Sequence, residues 1–183
     1  MRLFIALDIP QEVRARISAY VERVRSLCAD ARWARVEGLH ITLKFIGEIP
    51  GVRVPVAAKA LAGIKARPFD VKFENVGFFP SPRSPRVFWI GVRAGEELPQ
   101  LAEAVSEALA GIGIPREDKA YSPHLTLARA GSGHNLKALT GLLTNEMEPF
   151  GTMTAHEFYL YRSQLGRGGS KYTRLERFEL SDT

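Results

Sequence analysis

Residues 40–45 read HITLKF, and residues 124–129 read HLTLAR. The two histidines lie 124 − 40 = 84 positions apart, and the same shift carries RLFI at residues 2–5 onto RVFW at residues 86–89. Similarity at a fixed spacing indicates a repeated structural unit. The chain therefore predicts two halves that share one layout.

Within each half, apolar residues follow the periods of strands and helices. The repeat covers roughly residues 1–80 and 85–165, each half running strand, helix, strand, helix, strand. The predicted strands are residues 2–8, 40–45, 69–79, 86–92, 124–129, 153–163 and 172–180, and the predicted helices are residues 13–28, 55–66, 98–108 and 135–147. We therefore expect an α+β fold over residues 1–183: a single domain with two similar lobes of antiparallel sheet plus helices. A pseudo-two-fold axis would relate the lobes, which could exchange terminal strands.

Two loops are predicted from proline and glycine. Residues 79–86 read FPSPRSPR, and three prolines are expected to prevent a continuous helix or central strand there. We expect a solvated linker between the lobes, with phosphate contacts by its arginines as the alternative. Residues 166–170 read GRGGS and predict a flexible hairpin loop, with a mobile lid over substrate as the alternative.

Composition limits the class of protein. The 183 residues are 45% hydrophobic and 25% charged, which is typical of a globular chain and excludes disordered and collagen-like classes. The net charge of +5 is compatible with a polyanionic partner. Because Asp8 interrupts the apolar N-terminal run, that run fits neither a signal peptide nor a membrane span. We expect a cytoplasmic protein with no membrane partner.

Strand alternation turns the first motif into a candidate site. Alternate side chains share a face, so His40 and Thr42 are predicted to point together, with Lys44 on the same face. Phe45 is predicted to lie on the opposite face, where core packing is favoured over stacking on a base. A polar face flanked by core residues indicates a binding role.

The second motif repeats this arrangement. His124 and Thr126 are predicted to share a face, whereas strict alternation directs Arg129 away from His124. Trp33 and Tyr121 precede the two motifs and are candidates for a cleft rim that stacks on a base, with core packing as the alternative.

If the two faces meet in a central cleft, they suit a phosphodiester. Hydrolysis of a cyclic phosphate needs a base that takes a proton from water and an acid that protonates the departing oxygen. Two opposed imidazoles, with an ordinary pKa of about 6.5, supply both near neutral pH. Threonine hydroxyls can donate to the non-bridging oxygens without a metal.

The remaining candidate ligands favour no metal or cofactor. The single cysteine, Cys28, excludes an intramolecular disulfide and a multi-cysteine zinc site, and it is expected to pack in the core. His134 and His156 have no counterpart in the repeat and are expected to be surface or core residues. The chain lacks a His-Glu-x-x-His motif and paired aspartates, so we expect no catalytic metal.

Four linked segments carry a resemblance to a known family. They are RLFIAL at residues 2–7, LHITLKFIG at residues 39–47, PRVFWIG at residues 85–91 and PHLTLAR at residues 123–129. Together they resemble the two-histidine (2H) phosphoesterase superfamily, and most closely its RNA 2′,3′-cyclic phosphodiesterases, once called 2′-5′ RNA ligases. The resemblance extends along nearly the whole chain.

The resemblance implies a fold, a reaction and roles for the motif residues. It implies the bilobal 2H phosphoesterase fold with a central cleft, and conversion of 2′,3′-cyclic phosphates to 2′-phosphates, with reversible 2′-5′ joining of RNA ends in some members. His40 would be the proton donor to the leaving 3′ oxygen and His124 the proton acceptor from water, although near-symmetry leaves an exchange of roles open. Thr42 and Thr126 would hold the phosphate, and Arg129 fits the second motif.

The implied partner is an RNA with a 2′,3′-cyclic phosphate end, tRNA fragments among them, or a nucleotide, bound by a monomer without a cofactor. One alternative is a phosphodiesterase acting on a small nucleotide, such as a cyclic ADP-ribose phosphate or a 2′-5′ oligoadenylate. Another is a non-catalytic module that binds RNA or nucleotides. Single-turnover hydrolysis separates the enzymes from the module.

Overall fold

The computed structural model describes residues 1–131, 136–142, 149–166 and 169–181. Its strands are β1 (Arg2–Asp8), β2 (Arg32–Trp33), β3 (His40–Glu48), β4 (Phe69–Ser81), β5 (Ser84–Ala94), β6 (His124–Arg129), β7 (Pro149–Ala155), β8 (Glu157–Gly166) and β9 (Gly169–Glu179). Its α-helices are α1 (Gln11–Val24), α2 (Val54–Ala62) and α3 (Glu97–Ala110). Short 3₁₀ helices lie at Arg25–Cys28, Val36–Gly38, Gly51–Arg53 and Lys137–Leu142.

The strands form two antiparallel sheets. The first sheet has the order β3-β1-β8-β9, and the second sheet has the order β2-β6-β5-β4-β7. β4 follows β3 in the chain but pairs in the second sheet, whereas β8 follows β7 but pairs with β1 in the first sheet. The predicted α+β architecture with two lobes of antiparallel sheet is confirmed.

The helices also cross between the sheets. α1 follows β1 of the first sheet but packs against β7 of the second, where the ring of Tyr20 meets the edge of Phe150 at 5.1 Å. α3 follows β5 of the second sheet but packs against α2 and β3. As a result, buried residues of both sheets, such as Ile5 and Phe88, belong to one continuous hydrophobic core. Neither half of the chain buries its apolar surface alone.

Residues 79–86 form the end of a β-hairpin and not the predicted linker. β4 and β5 pair up to Ser81 and Ser84, with the turn at the two residues between them. Pro80 lies opposite Pro85, beyond the residues that pair with the neighbouring strands β6 and β7. A strand end that extends beyond its neighbouring strands makes no backbone hydrogen bonds to them. Proline, which has no backbone N–H, is therefore tolerated there. The prediction of a linker between the lobes is therefore wrong, because both strands and the turn that joins them belong to the second sheet.

The C-terminal part also differs from the prediction. Residues 153–163 were expected to form one strand, but β7 ends at Ala155 and β8 begins at Glu157, in the other sheet. His156 lies between them and is exposed. Of the helix expected at residues 135–147, Lys137–Leu142 forms a 3₁₀ helix, while residues 135 and 143–147 lie outside the described residues.

The predicted hairpin at residues 166–170 joins β8 to β9. Gly166 pairs with Gly169, and residues 167–168 lie outside the described part of the chain. Gly169 has a φ of +110°, a conformation that L side chains rarely adopt. The glycine at this position therefore suits a tight connection between the two strands.

A β-bulge at Leu43 resets the alternation of β3. Ile5 of β1 pairs with Lys44 and the next residue of β1 pairs with Thr42, so Leu43 is the extra residue. Lys44, opposite buried Ile5, therefore turns to the core and is only 2% exposed. Phe45 turns to the opposite side and is 58% exposed. The predictions that Lys44 shares the face of His40 and that Phe45 packs in the core are both wrong.

An equivalent bulge lies 127 − 43 = 84 positions later, at Leu127 of β6. Ala128 lies opposite buried Phe88, and Arg129 lies opposite Val87 and is exposed. Residues 40–45 and 124–129 consequently share one burial pattern. The bulge returns Arg129 to the face of His124, contrary to the direction expected from strict alternation.

Because the bulge exposes Phe45, truncating this residue should affect the free energy of unfolding less than truncating a buried phenylalanine does. Phe45→Ala should lower the free energy of unfolding by less than about 1 kcal/mol, because the ring is mostly exposed. Phe73→Ala, in the buried part of β4, should lower it by about 3–5 kcal/mol. Urea unfolding of both variants measures the difference, and equal losses would contradict the bulged register.

Candidate active site

The two histidines lie at the first residues of β3 and β6. β3 is an edge strand of the first sheet, and β6 approaches it from the second sheet, with Cα atoms of the two strands within 8 Å of each other. The Tyr121 hydroxyl, just before β6, donates a hydrogen bond of 3.1 Å to the Thr42 carbonyl of β3. Both His-x-Thr motifs therefore lie where the two sheets meet.

Both imidazoles are oriented by the same local hydrogen bond. Nδ1 of His40 lies 2.7 Å from the Gly38 carbonyl, and Nδ1 of His124 lies 2.8 Å from the Ser122 carbonyl. A carbonyl can only accept, so Nδ1 carries the hydrogen in each ring. The atom left for proton transfer is Nε2 in both histidines.

Burial is the main influence on the pKa values of His40 and His124. Desolvation lowers the pKa of His40 from its ordinary value of 6.5, opposed by the Gly38 hydrogen bond and the negative charge of Asp8, while Arg14 lowers it. Desolvation also lowers the pKa of His124, opposed by the Ser122 hydrogen bond, while the positive charge of Arg129 lowers it further. Both rings therefore favour the neutral form more than a free imidazole does.

The charges around the two rings differ, although their backbones match. Asp8 lies opposite His40 in the β1–β3 pair, whereas Gly91 lies opposite His124 in the β5–β6 pair. Asp8 and Gly91 are 91 − 8 = 83 positions apart, whereas the two histidines are 84 positions apart. The paired strands β1 and β5 therefore repeat with a spacing one residue shorter than that of the motifs. A Cβ at Gly91 would lie 2.6 Å from the Glu74 carbonyl oxygen, so no aspartate fits there.

Asp8 holds two arginines beside His40. The Asp8 carboxylate accepts hydrogen bonds from the guanidinium groups of Arg14 and Arg174. Arg14 also donates to the Val36 and Glu37 carbonyls, which ties α1 to the turn before β3. This network fixes the backbone from which His40 projects.

Aromatic rings support each histidine. The His40 ring stacks on Phe4 with centroids 4.5 Å apart, and Tyr172 meets it edge-on at 5.1 Å. The ring of Phe79 meets His124 edge-on at 4.9 Å. A Cβ at Gly38 would lie 3.1 Å from the Tyr172 ring, so glycine lets Tyr172 approach His40 closely.

The two threonines accompany the histidines. Thr42 lies opposite Ala6, and Thr126 lies opposite Trp89, each half-buried and two residues from its histidine along an unbulged stretch. The geometry therefore puts Thr42 on the face of His40 and Thr126 on the face of His124.

The structure places the two aromatic candidates, Trp33 and Tyr121, differently. Trp33 pairs with Ala128, contacts buried Phe88 edge-on, and donates its indole hydrogen to the Cys28 carbonyl at 3.0 Å. Its candidacy for base stacking is wrong, because it lies on the core face. Tyr121 is half-buried, and burial raises its pKa, so its hydroxyl remains a donor that links the lobes.

Several residues of the site were not singled out from sequence. Asp8, Phe4 and Tyr172 carry no motif of their own and reach His40 only through strand pairing. Asp8 did carry one signal, as the single charge that ends an apolar strand. The remaining candidates lie elsewhere: Cys28 packs partly buried against the core, and His134 lies outside the described residues.

Two kinds of feature are absent from the described residues. No three or more His, Cys, Asp or Glu side chains in residues 1–131, 136–142, 149–166 and 169–181 are grouped so that they could hold a metal ion. Over the same ranges, no helix is long and apolar enough to cross a membrane.

Two antiparallel lobes with paired His-x-Thr strands define the class as a two-histidine phosphoesterase. A model of the family described as LigT like phosphoesterase matches the chain twice, over residues 7–89 and 90–172. The chain therefore belongs to the LigT-like phosphoesterase family, and it is an enzyme of that family. The two successive matches fall on the two halves of the repeat.

Relatives of known name or structure match over nearly their whole length. The RNA 2′,3′-cyclic phosphodiesterase of Archaeoglobus fulgidus is 35% identical, covering 98% of this chain and 100% of that protein. A Thermus thermophilus protein of known structure is 31% identical, with full coverage of both chains and a TM-score of 0.80. Escherichia coli LigT complexed with 3′-AMP is 27% identical, covering 99% of this chain and 98% of that chain, with a TM-score of 0.79.

The bulge predicts opposite outcomes for the two cationic candidates. Lys44→Met should leave kcat/KM within about twofold, because the side chain lies in the core and methionine fills a similar volume. Arg129→Met should lower kcat/KM about tenfold or more, because it removes an exposed guanidinium that can donate a charged hydrogen bond to an anionic substrate from the face of His124. Phosphodiester turnover by both variants checks this, and a loss confined to Lys44→Met would contradict the assigned faces.

Proposed function

We propose that this enzyme hydrolyses RNA 2′,3′-cyclic phosphate ends to 2′-phosphomonoesters, with His40 and His124 as the acid and base. The supporting observation is the matched pair of imidazoles, each held through Nδ1 so that Nε2 is left for proton transfer. The names of the A. fulgidus and other curated relatives support the cyclic phosphodiester substrate and its RNA.

The reaction exchanges one phosphorus–oxygen bond for another. His124 Nε2 takes a proton from water as the water oxygen bonds to phosphorus. The bond from phosphorus to O3′ breaks, and His40 Nε2 gives its proton to O3′. The ribose then has a free 3′-hydroxyl and a 2′-phosphomonoester. Proton exchange with solvent returns both imidazoles to their starting forms.

The local charges support this division of roles. Burial lowers the pKa of both rings, but Asp8 raises the pKa of His40 by more than Arg14 lowers it, in the direction that an acid requires. Arg129 lowers the pKa of His124 further, in the direction that a base requires. The backbone symmetry alone would permit either assignment. The difference between Asp8 and Gly91, opposite the two histidines, is what favours His40 as the acid.

The phosphate is proposed to be held without a metal. The hydroxyls of Thr42 and Thr126 donate to the non-bridging oxygens, and Arg129 supplies a fixed positive charge on the His124 side. The exposed ring of Phe45 offers a face on which the terminal base can stack, a contact worth about 1–3 kcal/mol per base in single-strand binding.

The same chemistry permits joining of RNA ends. If the 5′-hydroxyl of a second RNA replaces water, its oxygen bonds to phosphorus as O3′ leaves. The product is a 2′-5′ phosphodiester, which the reverse proton transfers reopen to the cyclic phosphate. Ligation therefore needs no residue beyond those of hydrolysis.

A second candidate substrate is a small nucleotide, such as a cyclic ADP-ribose phosphate or a 2′-5′ oligoadenylate. It is favoured by the structures of E. coli LigT complexed with 3′-AMP, with ATP and with NADP⁺. Parallel turnover of these compounds and of a cyclic-ended RNA distinguishes the candidates, because the true substrate has the larger kcat/KM.

The proposed reaction predicts full turnover of a cyclic-ended oligonucleotide in excess chelator, with the product phosphate on O2′. His40→Ala and His124→Ala should each lower turnover at least roughly a hundredfold, because each proton transfer contributes about 10²- to 10⁴-fold. Phosphorus NMR of the product identifies the position of the phosphate.

His156→Ala, which removes an exposed histidine, is the matched control and should keep full turnover. Loss of turnover with chelator would contradict the metal-free mechanism. Unchanged turnover in a folded His40→Ala or His124→Ala variant would remove that histidine from the reaction.

The lowered pKa values predict an acidic optimum. In the free enzyme, kcat/KM requires neutral His124 and protonated His40, so its maximum lies midway between their two pKa values. Burial lowers both pKa values below 6.5, so the maximum is expected below pH 6.5. Rates on a cyclic mononucleotide across about pH 4.5–8.5 test this, and a maximum above neutrality would disagree with the geometry.

A further inference from the structure

A groove of about 1230 Å³ begins at His40 and leads away from the junction of the sheets. One wall is the exposed face of α1, from Gln11 to Glu22, and the facing walls are the turn before β3 and the start of β9. His124 does not line it. The groove therefore extends the site on the His40 side.

The groove is larger than one small ligand needs. Pockets for small molecules hold about 300–1,000 Å³. The α1 wall spans 22 − 11 = 11 residues, or about 16 Å at ~1.5 Å per residue. Stacked nucleotides repeat every ~3.4 Å along a strand, so this length accommodates more than one nucleotide.

The lining chemistry suits a nucleic-acid strand. Arg35 and Lys171 are exposed and line the groove, Arg35 from the turn before β3 and Lys171 from the start of β9. Tyr172 lines the groove beside His40 and is 36% exposed, so part of its ring is open to a base. A basic groove with an aromatic face is the usual arrangement for binding single strands.

Other charges in the groove restrict where phosphates can lie. Arg14 and Arg174 are engaged by Asp8, so among the described residues that line the groove the unengaged positive charges are those of Arg35 and Lys171. Glu22 at the far end of the α1 wall and Glu37 in the turn carry negative charge that repels phosphates. The favourable path therefore follows the β9 side of the groove, between Lys171 and Arg35.

From this arrangement, and resting on the proposed function, we infer that the groove binds the RNA strand immediately 5′ of the nucleotide that carries the cyclic phosphate. Arg35 and Lys171 bind its phosphates, and Tyr172 stacks on a base next to the terminal one. The position of the groove on the His40 side is consistent with the chemistry. His40 protonates the leaving O3′, and this oxygen belongs to the terminal ribose to which the RNA strand is attached. The preferred substrate is thus an oligonucleotide and not a mononucleotide.

The test compares a nucleoside 2′,3′-cyclic phosphate with a five-residue RNA that ends in the same cyclic nucleotide. The wild-type enzyme should have the higher kcat/KM on the RNA. The double variant Arg35→Ala/Lys171→Ala should lose roughly fivefold or more on the RNA at low salt, but stay within about twofold on the mononucleotide. The slope of log kcat/KM against log salt concentration for RNA should become shallower by about 0.7 for each lost phosphate contact.

The matched control is Lys59→Ala/Lys65→Ala, which removes the same charge from exposed lysines that do not line the groove. It should keep the wild-type preference for RNA. Equal kcat/KM of the wild-type enzyme on both substrates would overturn the groove assignment and leave the proposed function intact. So would equal losses on both substrates in the Arg35→Ala/Lys171→Ala variant. If the wild-type enzyme hydrolysed neither the mononucleotide nor the RNA, the proposed function itself would be overturned.

Discussion

The extra residue in each histidine-bearing strand, Leu43 in β3 and Leu127 in β6, determines which side chains face the site. A strand without the bulge would present Lys44 beside His40 and bury Phe45. With the bulge, the face of the first motif carries an imidazole, a hydroxyl and an exposed aromatic ring. The face of the second motif carries an imidazole, a hydroxyl and the guanidinium of Arg129. The two bulged strands therefore share one backbone arrangement but differ in the third side chain on the site face, which is apolar Phe45 in β3 and charged Arg129 in β6.

Symmetry of the backbone and asymmetry of the charges have separate consequences. The equivalent Nδ1 hydrogen bonds give both histidines the same tautomer, so each can exchange a proton through Nε2. Burial lowers the pKa of both rings, but the charged neighbours differ: Asp8 raises the pKa of His40, whereas Arg129 lowers that of His124 further. The hydrophobic core that both sheets share holds these two environments in a fixed relation, because neither half of the chain packs separately.

The sequence predicts the repeat, the two lobes and the positions of the paired motifs, because fixed spacing and apolar periodicity are local signals. It does not predict the faces of Lys44 and Arg129, since a bulge depends on the register of the neighbouring strand and has no signature of its own here. The hairpin through Pro80 and Pro85 was missed for a related reason: proline excludes a paired strand interior but not the end of a hairpin. Asp8 and Tyr172 join His40 across 32 and 132 positions (40 − 8 and 172 − 40), which only the fold brings together.

The most direct test is a crystal structure with a nucleoside vanadate, whose five-coordinate vanadium mimics the phosphorus in the transition state. Nε2 of His40 and Nε2 of His124 should lie about 2.6–3.2 Å from the two opposite apical oxygens, with His40 on the ribose side. A complex in which only one imidazole reaches the vanadate, or in which either ring approaches through Nδ1, would contradict this prediction.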